Sequence, residues 1–146
     1  MPVRFAYQNV GAPDLRRRGL QPETAPVGVL LVDIEADLVI QDGDRVVFAE
    51  KLFPVAELAR ALVSWLYRLD GERDDFAFDS MSYTDPGAVR IVRSAEGWQV
   101  GSVFEPDAWT APVTWDVLVA EVKNFVGAVR RDLAAIGVRP DLITGL

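Results

Sequence analysis

The chain contains no cysteine and no histidine. Without cysteine there is no disulfide framework and no thiolate to act as nucleophile or metal ligand. Without histidine it lacks the side chain that titrates nearest neutrality, and so Ser-His-Asp systems, Cys-His systems and ordinary zinc sites. Nothing approaches 18 consecutive apolar residues, so no membrane span is expected. The opening MPVRFAYQNV lacks the apolar stretch of a signal peptide and reads as a strand. These absences predict a cytoplasmic protein with no metal and no cofactor. Any catalysis would rest on carboxylates, lysine, tyrosine or backbone groups, and we expect no enzyme. Lysine is itself scarce, 2 against 13 arginines, a codon-level mark of a GC-rich genome.

What is present suits one globular domain. The 146 residues are half hydrophobic and one quarter charged, enough for a proper core. The net charge of −7 is unevenly placed. Residues 1–31 carry 4 basic and 2 acidic side chains, residues 32–107 carry 7 and 16, and residues 108–146 carry 4 of each. Such a field repels nucleic acid and attracts basic surfaces. A protein partner with a basic surface is expected, with neither nucleic acid nor membrane as ligand.

Alternation and turn chemistry predict the elements. Val3 to Val10 reads as a strand, residues 11–27 as a long Pro/Gly loop, and Gly28 to Gln41 as a second strand. An Asp-Gly turn at Asp42-Gly43-Asp44 returns the chain through 45–53 as a hairpin. Pro54 suits the first turn of a helix whose buried stripe is Val55, Leu58, Leu62, Trp65 and Leu66, with Glu57 opposite. The run DGERDD ends it. Phe76 to Tyr83, Ala88 to Arg93 and Trp98 to Phe104 form a meander, and Thr114 caps a last helix running to about Gly137. Residues 138–146 read as a flexible tail. The order β-β-β-α-β-β-β-α predicts an α+β domain spanning 1–146, a mostly antiparallel sheet of about six strands with two helices on one face.

The candidate site residues are acidic. Asp33, Glu35 and Asp37 alternate with Val32, Ile34, Ala36 and Leu38, so one strand face carries three carboxylates roughly 6.5–7 Å apart. Buried unpaired they would be very costly, so they are expected exposed, paired, or covered by a partner. A hard cation needs oxygens converging on one point, which a straight row does not provide. Asp42 and Asp44 extend the row at the hairpin tip, and Asp75 and Asp79 across the sheet. Those last two also have the makings of an acid/base pair, but the pattern asks for nothing beyond an exposed acidic face. Pro106-Asp107 and Glu121-Val122-Lys123 spell a nuclease-like pattern, yet Glu121 and Lys123 point about 200° apart on a helix. The arginines at 16–18 read as answering the acids or as solvated. Trp98 and Trp115 read as core, with Phe104 and Tyr83 near them. Trp109, between acids in EPDAWTAP, is either an exposed anchor for a partner or folded onto the sheet.

Three segments, FPVAELARALVSWL from Phe53, FAFDSMSY from Phe76 and GWQVGS from Gly97, resemble an uncharacterised family of small single-domain actinobacterial proteins. The resemblance spans roughly residues 28–136. In size and charge these are similar to immunity proteins of polymorphic toxin systems, which implies a non-catalytic acidic protein that binds and blocks one basic toxin domain. The competing expectation is a small-ligand module with an apolar pocket between sheet and helices.

Overall fold

Antiparallel pairing organises the chain in the computed structural model, which describes residues 3–68 and 74–145. Strand β1 (Val3–Gly11), β2 (Glu35–Asp42) and β3 (Arg45–Phe53) form a three-stranded sheet in that order. Strands β4 (Phe76–Ala77), β5 (Arg90–Ser94), β6 (Gly97–Ser102) and β7 (Glu105–Trp109) form a four-stranded meander. Four helices accompany them: α1 (Pro13–Arg17), α2 (Val27–Asp33), α3 (Val55–Leu66) and α4 (Trp115–Ala135). The class is α+β, with the strands divided between two open antiparallel sheets rather than joined in one.

The hairpin of β2 and β3 turns at Gly43 and Asp44, where Gly43 takes φ 61°. That left-handed backbone is what an Asp-Gly turn supplies. The second strand, however, begins at Glu35 and not at Gly28. Residues 27–33 are helical because the run Val27 to Val32 offers no polar alternation to hold it in a sheet, and Pro26 starts the helix. True alternation sets in later, and Ile34, Ala36, Leu38 and Ile40 are all buried. The expected loop at 11–27 likewise contains α1, with Pro13 in its first turn.

The second half corrects two further expectations and adds a strand. Only Phe76 and Ala77 of the 76–83 segment pair in the sheet, although Phe78 N–H still bonds the Val89 carbonyl. The EPDAW segment is a strand, pairing Trp109 with Gly101 and Glu105 with Ser102. Residues 138–145 are not a free tail. Val138, Leu142 and Ile143 are buried, and Arg130 donates to the carbonyls of Ile143 and Gly145. The run DGERDD lies in part, at residues 70–73, outside the described residues.

Helix α3 packs on β2, α4 on β1 and β6, and the two helices on each other. Thr114 Oγ1 accepts the N–H of Val117, as an N-cap should. Between helices and meander sits an aromatic cluster, with the Trp65 ring 5.4–5.7 Å from those of Phe76, Trp98 and Trp115. Phe104 and Tyr83 stand apart from it.

At the edge strand β1, Glu121 of α4 accepts the Phe5 N–H at 2.8 Å. Burial raises its carboxyl above the ordinary range, against the smaller opposing pulls of that N–H and of Arg4. The folded carboxyl therefore holds its proton at a pH where the unfolded one has released it. Stability falls as pH rises through that window and is flat above it. Glu121→Gln keeps an acceptor for Phe5 and removes the buried charge. Melts between pH 4 and 8 should show a neutral-pH Tm equal to or above wild type, with this falling limb removed. A clear drop in Tm at pH 7 would contradict it.

Candidate functional site

The alternating acids do not share one face, because most of them are used as fasteners. Asp33 ends α2 and is only 1% exposed, held by Arg18 through Nε at 2.8 Å and a second nitrogen at 3.3 Å. Its burial overturns its place in an exposed row. A carboxylate at a helix C-terminus faces the negative end of the macrodipole, so the arginine is what makes the position tolerable. Arg18 is half exposed and Asp33 is not. Arg18→Ala thus strands a buried charge, and we expect a loss of about 2 kcal/mol, below the fully buried range because one side of the pair meets water. Asp33→Ala lets the arginine rehydrate and should cost about half as much. Urea unfolding of the two variants checks this asymmetry, and equal losses would contradict it.

Glu35 is half-buried, its carboxyl raised first by burial and then by Asp14 and Asp33. Asp37 lies between two distorted strands. Its Oδ2 accepts Asn9 Nδ2 at 2.9 Å and its Oδ1 accepts Leu52 N–H at 3.3 Å, and these bonds hold the carboxyl below its usual range. Asn9 and Leu52 both take positive φ, 61° and 56°, where β1 and β3 slip register against β2. Asp42 accepts the Ala111 N–H at 2.7 Å and pairs with Arg45, which in turn donates to the Trp109 carbonyl. It ties the hairpin tip to the chain leaving β7. Asp75 is exposed and accepts the Arg93 N–H. Asp44 and Asp79 are exposed without such a task among the described residues.

Trp109 is half-buried and flat against the sheet. Its ring lies over Gly101, where a Cβ would come within 2.8 Å of Cε3, and Arg90 stacks 4.6 Å from its centroid. Of its two expected settings, the one folded onto the sheet is the one adopted.

The exposed apolar surface lies elsewhere. Phe104, in the turn between β6 and β7, is 50% exposed. Its ring stacks on Phe48 at 6.2 Å and tilts against Tyr83 at 5.6 Å, and Tyr83 rests on Phe53. The turn is set by Ser102 Oγ, which accepts the Phe104 N–H. Two residues near this ridge in the chain are exposed as well: Leu52, before Phe53, is 67% exposed, and Met81, two before Tyr83, is 59%. A leucine at φ 56° is a strained outlier, costing about 1–2 kcal/mol, and here the Asp37 carboxylate retains it. Behind Met81, the buried carboxylate of Glu57 accepts Ser80 Oγ at 2.5 Å and Met81 N–H at 3.0 Å.

Acids border the ridge. Glu50 lies close enough to Tyr83 to help burial raise its phenol to about 12, and Glu105 follows Phe104 directly. Asp79 and Asp85 flank Met81 and Tyr83 in the chain, while Lys51 is the cation beside Leu52. Among the described residues no group of three carboxylates converges as a metal site would require. Nor is any described helix long and apolar enough to cross a membrane.

The ridge is not legible as a site in the sequence, where Phe104 ends a strand near Trp98 and Trp115 and Glu57 lies opposite the buried stripe. An apolar hollow between sheet and helices was the other expectation. The described residues of that layer, Leu38, Ile40, Leu58, Leu62, Val122 and Phe125, are fully buried. An open hollow of about 770 Å³ adjoins α1 and the end of α4.

Residues 18–135 match the family described as Domain of unknown function (DUF7878). No curated protein and no solved structure matches the chain.

Proposed function

Since the chain belongs to the DUF7878 family, whose description assigns no activity, we propose a function from its surface: a non-catalytic interaction protein that docks a basic protein through the Phe104 ridge. The finer reading is an immunity-type role, in which the bound partner is a toxin domain whose basic cleft is covered. The observation that carries it is Phe104, half exposed yet held in place by stacking on Phe48 and Tyr83. Rigid, partly exposed aromatics are what interfaces use as anchors, because little side-chain freedom remains to be lost on binding. The surrounding acids supply the second element. Charges at a rim steer encounter and exclude wrong partners, while the apolar centre determines how long the complex lasts. The rim therefore falls to Glu50, Glu105, Asp79 and Asp85. Asp44 and Asp75 remain outlying contributors, and Asp33 leaves the set.

The test is titration of the purified chain with whichever basic protein co-purifies with it or is encoded beside its gene. A one-to-one complex that Phe104→Ala weakens about tenfold or more supports the reading. A complex indifferent to Phe104, or none at micromolar concentration, defeats it.

A further inference from the structure

We propose that the hollow beside α1 binds a small amphiphilic anion, an apolar chain ending in a carboxylate or a phosphate monoester. This inference is independent of the Phe104 ridge. The hollow's volume, about 770 Å³, falls within the range of small-molecule sites. Leu15, Leu20 and Ile136 give it an apolar lining, and Arg16 and Arg17 contribute the positive charge. Leu15 is fully buried, while Leu20 and Ile136 pack half-covered against the core, so the lining is anchored in the fold.

The three consecutive arginines have different occupations. Arg17 pairs with Asp14 at 2.6 Å and Arg18 with Asp33 at 2.8 Å. Among the described residues the Arg16 side chain makes no hydrogen bond or ion pair, and a second hollow of about 400 Å³ also adjoins it. The one acid of the lining, Glu23, sets its carboxylate against Gly137 at the end of α4, in space a side chain there would fill. Among the described residues the Arg16 guanidinium has no partner, in a protein with seven excess negative charges.

A guanidinium fork fits the two oxygens of a carboxylate or phosphate, and the leucine and isoleucine surface receives the chain behind it. A free inorganic anion would leave that surface wet, and a neutral lipid would leave Arg16 unused. Gly11 also lines the hollow, and a Cβ placed there meets nothing within 4 Å. A larger side chain at this position would stand beside the hollow without displacing the core.

The experiment titrates the full chain with hexanoate, octanoate, decanoate, decyl phosphate and decanol. Calorimetry gives affinity, and methyl resonances of Leu20 and Ile136 give location. Affinity should rise about fourfold per methylene until the hollow is filled, in line with apolar transfer. Decanoate or decyl phosphate should saturate one site and shift both methyl groups. Arg16→Ala should weaken that site about tenfold, to the level of decanol, and Gly11→Leu should abolish it in a protein that still melts cooperatively. Absence of saturable binding would overturn the proposal, as would binding that neither variant alters. Methyl shifts seen only with anionic phosphatidylglycerol vesicles would overturn it too, because they would assign the arginines to a membrane surface.

Discussion

Trp65→Ala should lower unfolding free energy by about 3–5 kcal/mol, the range for deleting a large buried aromatic. The indole is almost completely buried and contacts the rings of Phe76, Trp98 and Trp115. Its Nε1 also donates to the Asp74 carbonyl at 2.9 Å, which fixes the chain as it enters β4. The substitution therefore leaves a cavity between α3, α4 and the meander and releases the entry to the second sheet. Against a typical total of about 5–15 kcal/mol, that is enough to populate unfolded chains. Trp65→Phe should recover about half the loss. Trp109→Ala should cost only about 1–2 kcal/mol, since that ring is half-buried and its partner Arg90 can turn to water. Guanidinium unfolding of the three variants checks the order. A smaller loss at Trp65 than at Trp109 would mean that the ring cluster does not join the helices to the meander.

The second large effect is expected at Glu57. The carboxylate is buried and engaged twice, by Ser80 Oγ and by Met81 N–H, and Ser80 Oγ also accepts Ser82 N–H. Glu57→Ala removes the common acceptor and leaves buried donors unmet, which costs about 2–3 kcal/mol. The loss should be local as well as global. Amide exchange at residues 80–83 should accelerate well beyond that of α4, and Glu57→Gln, which retains one acceptor, should fall between. Because this segment carries Met81 and Tyr83, Glu57→Ala should also weaken partner binding while Phe104 itself is intact. Uniform acceleration across both helices would instead assign Glu57 to general stability.

The contrast between what was legible and what was not has physical causes. Ile34 to Ile40 alternates on both sides of a requirement for burial, and Asp42-Gly43 admits few other turns, so the hairpin could be read directly. Val27 to Val32 is apolar without a period, and such a run suits a helix and a strand alike. Glu57 shows what a helical wheel omits. It lies off the main stripe of α3, yet the irregular segment 78–83 covers that side of the helix and buries it. Asp33, Asp37 and Asp42 were legible as acids but not as fasteners, since their partners Arg18, Leu52 and Ala111 lie 15 to 69 residues away. Only the packing of distant segments decides which acids remain for a partner.

The central claim is that an acid-rimmed aromatic ridge docks a basic protein. Stopped-flow association and dissociation rates with whichever basic protein co-purifies or is encoded beside this gene test it most directly, at ~20 and ~300 mM salt, on either side of the roughly 10 Å screening length at 0.1 M. The account predicts that Glu50→Lys with Glu105→Lys slows association about tenfold at low salt, and that the difference shrinks at high salt. Phe104→Ala should leave association nearly unchanged and speed dissociation about tenfold or more. Asp116→Lys with Asp141→Lys, equal in charge change but exposed in the first turn of α4 and beyond its end, should change neither rate by more than about twofold. If the two charge-reversed pairs behave alike and Phe104→Ala dissociates at the wild-type rate, the ridge is not the docking surface.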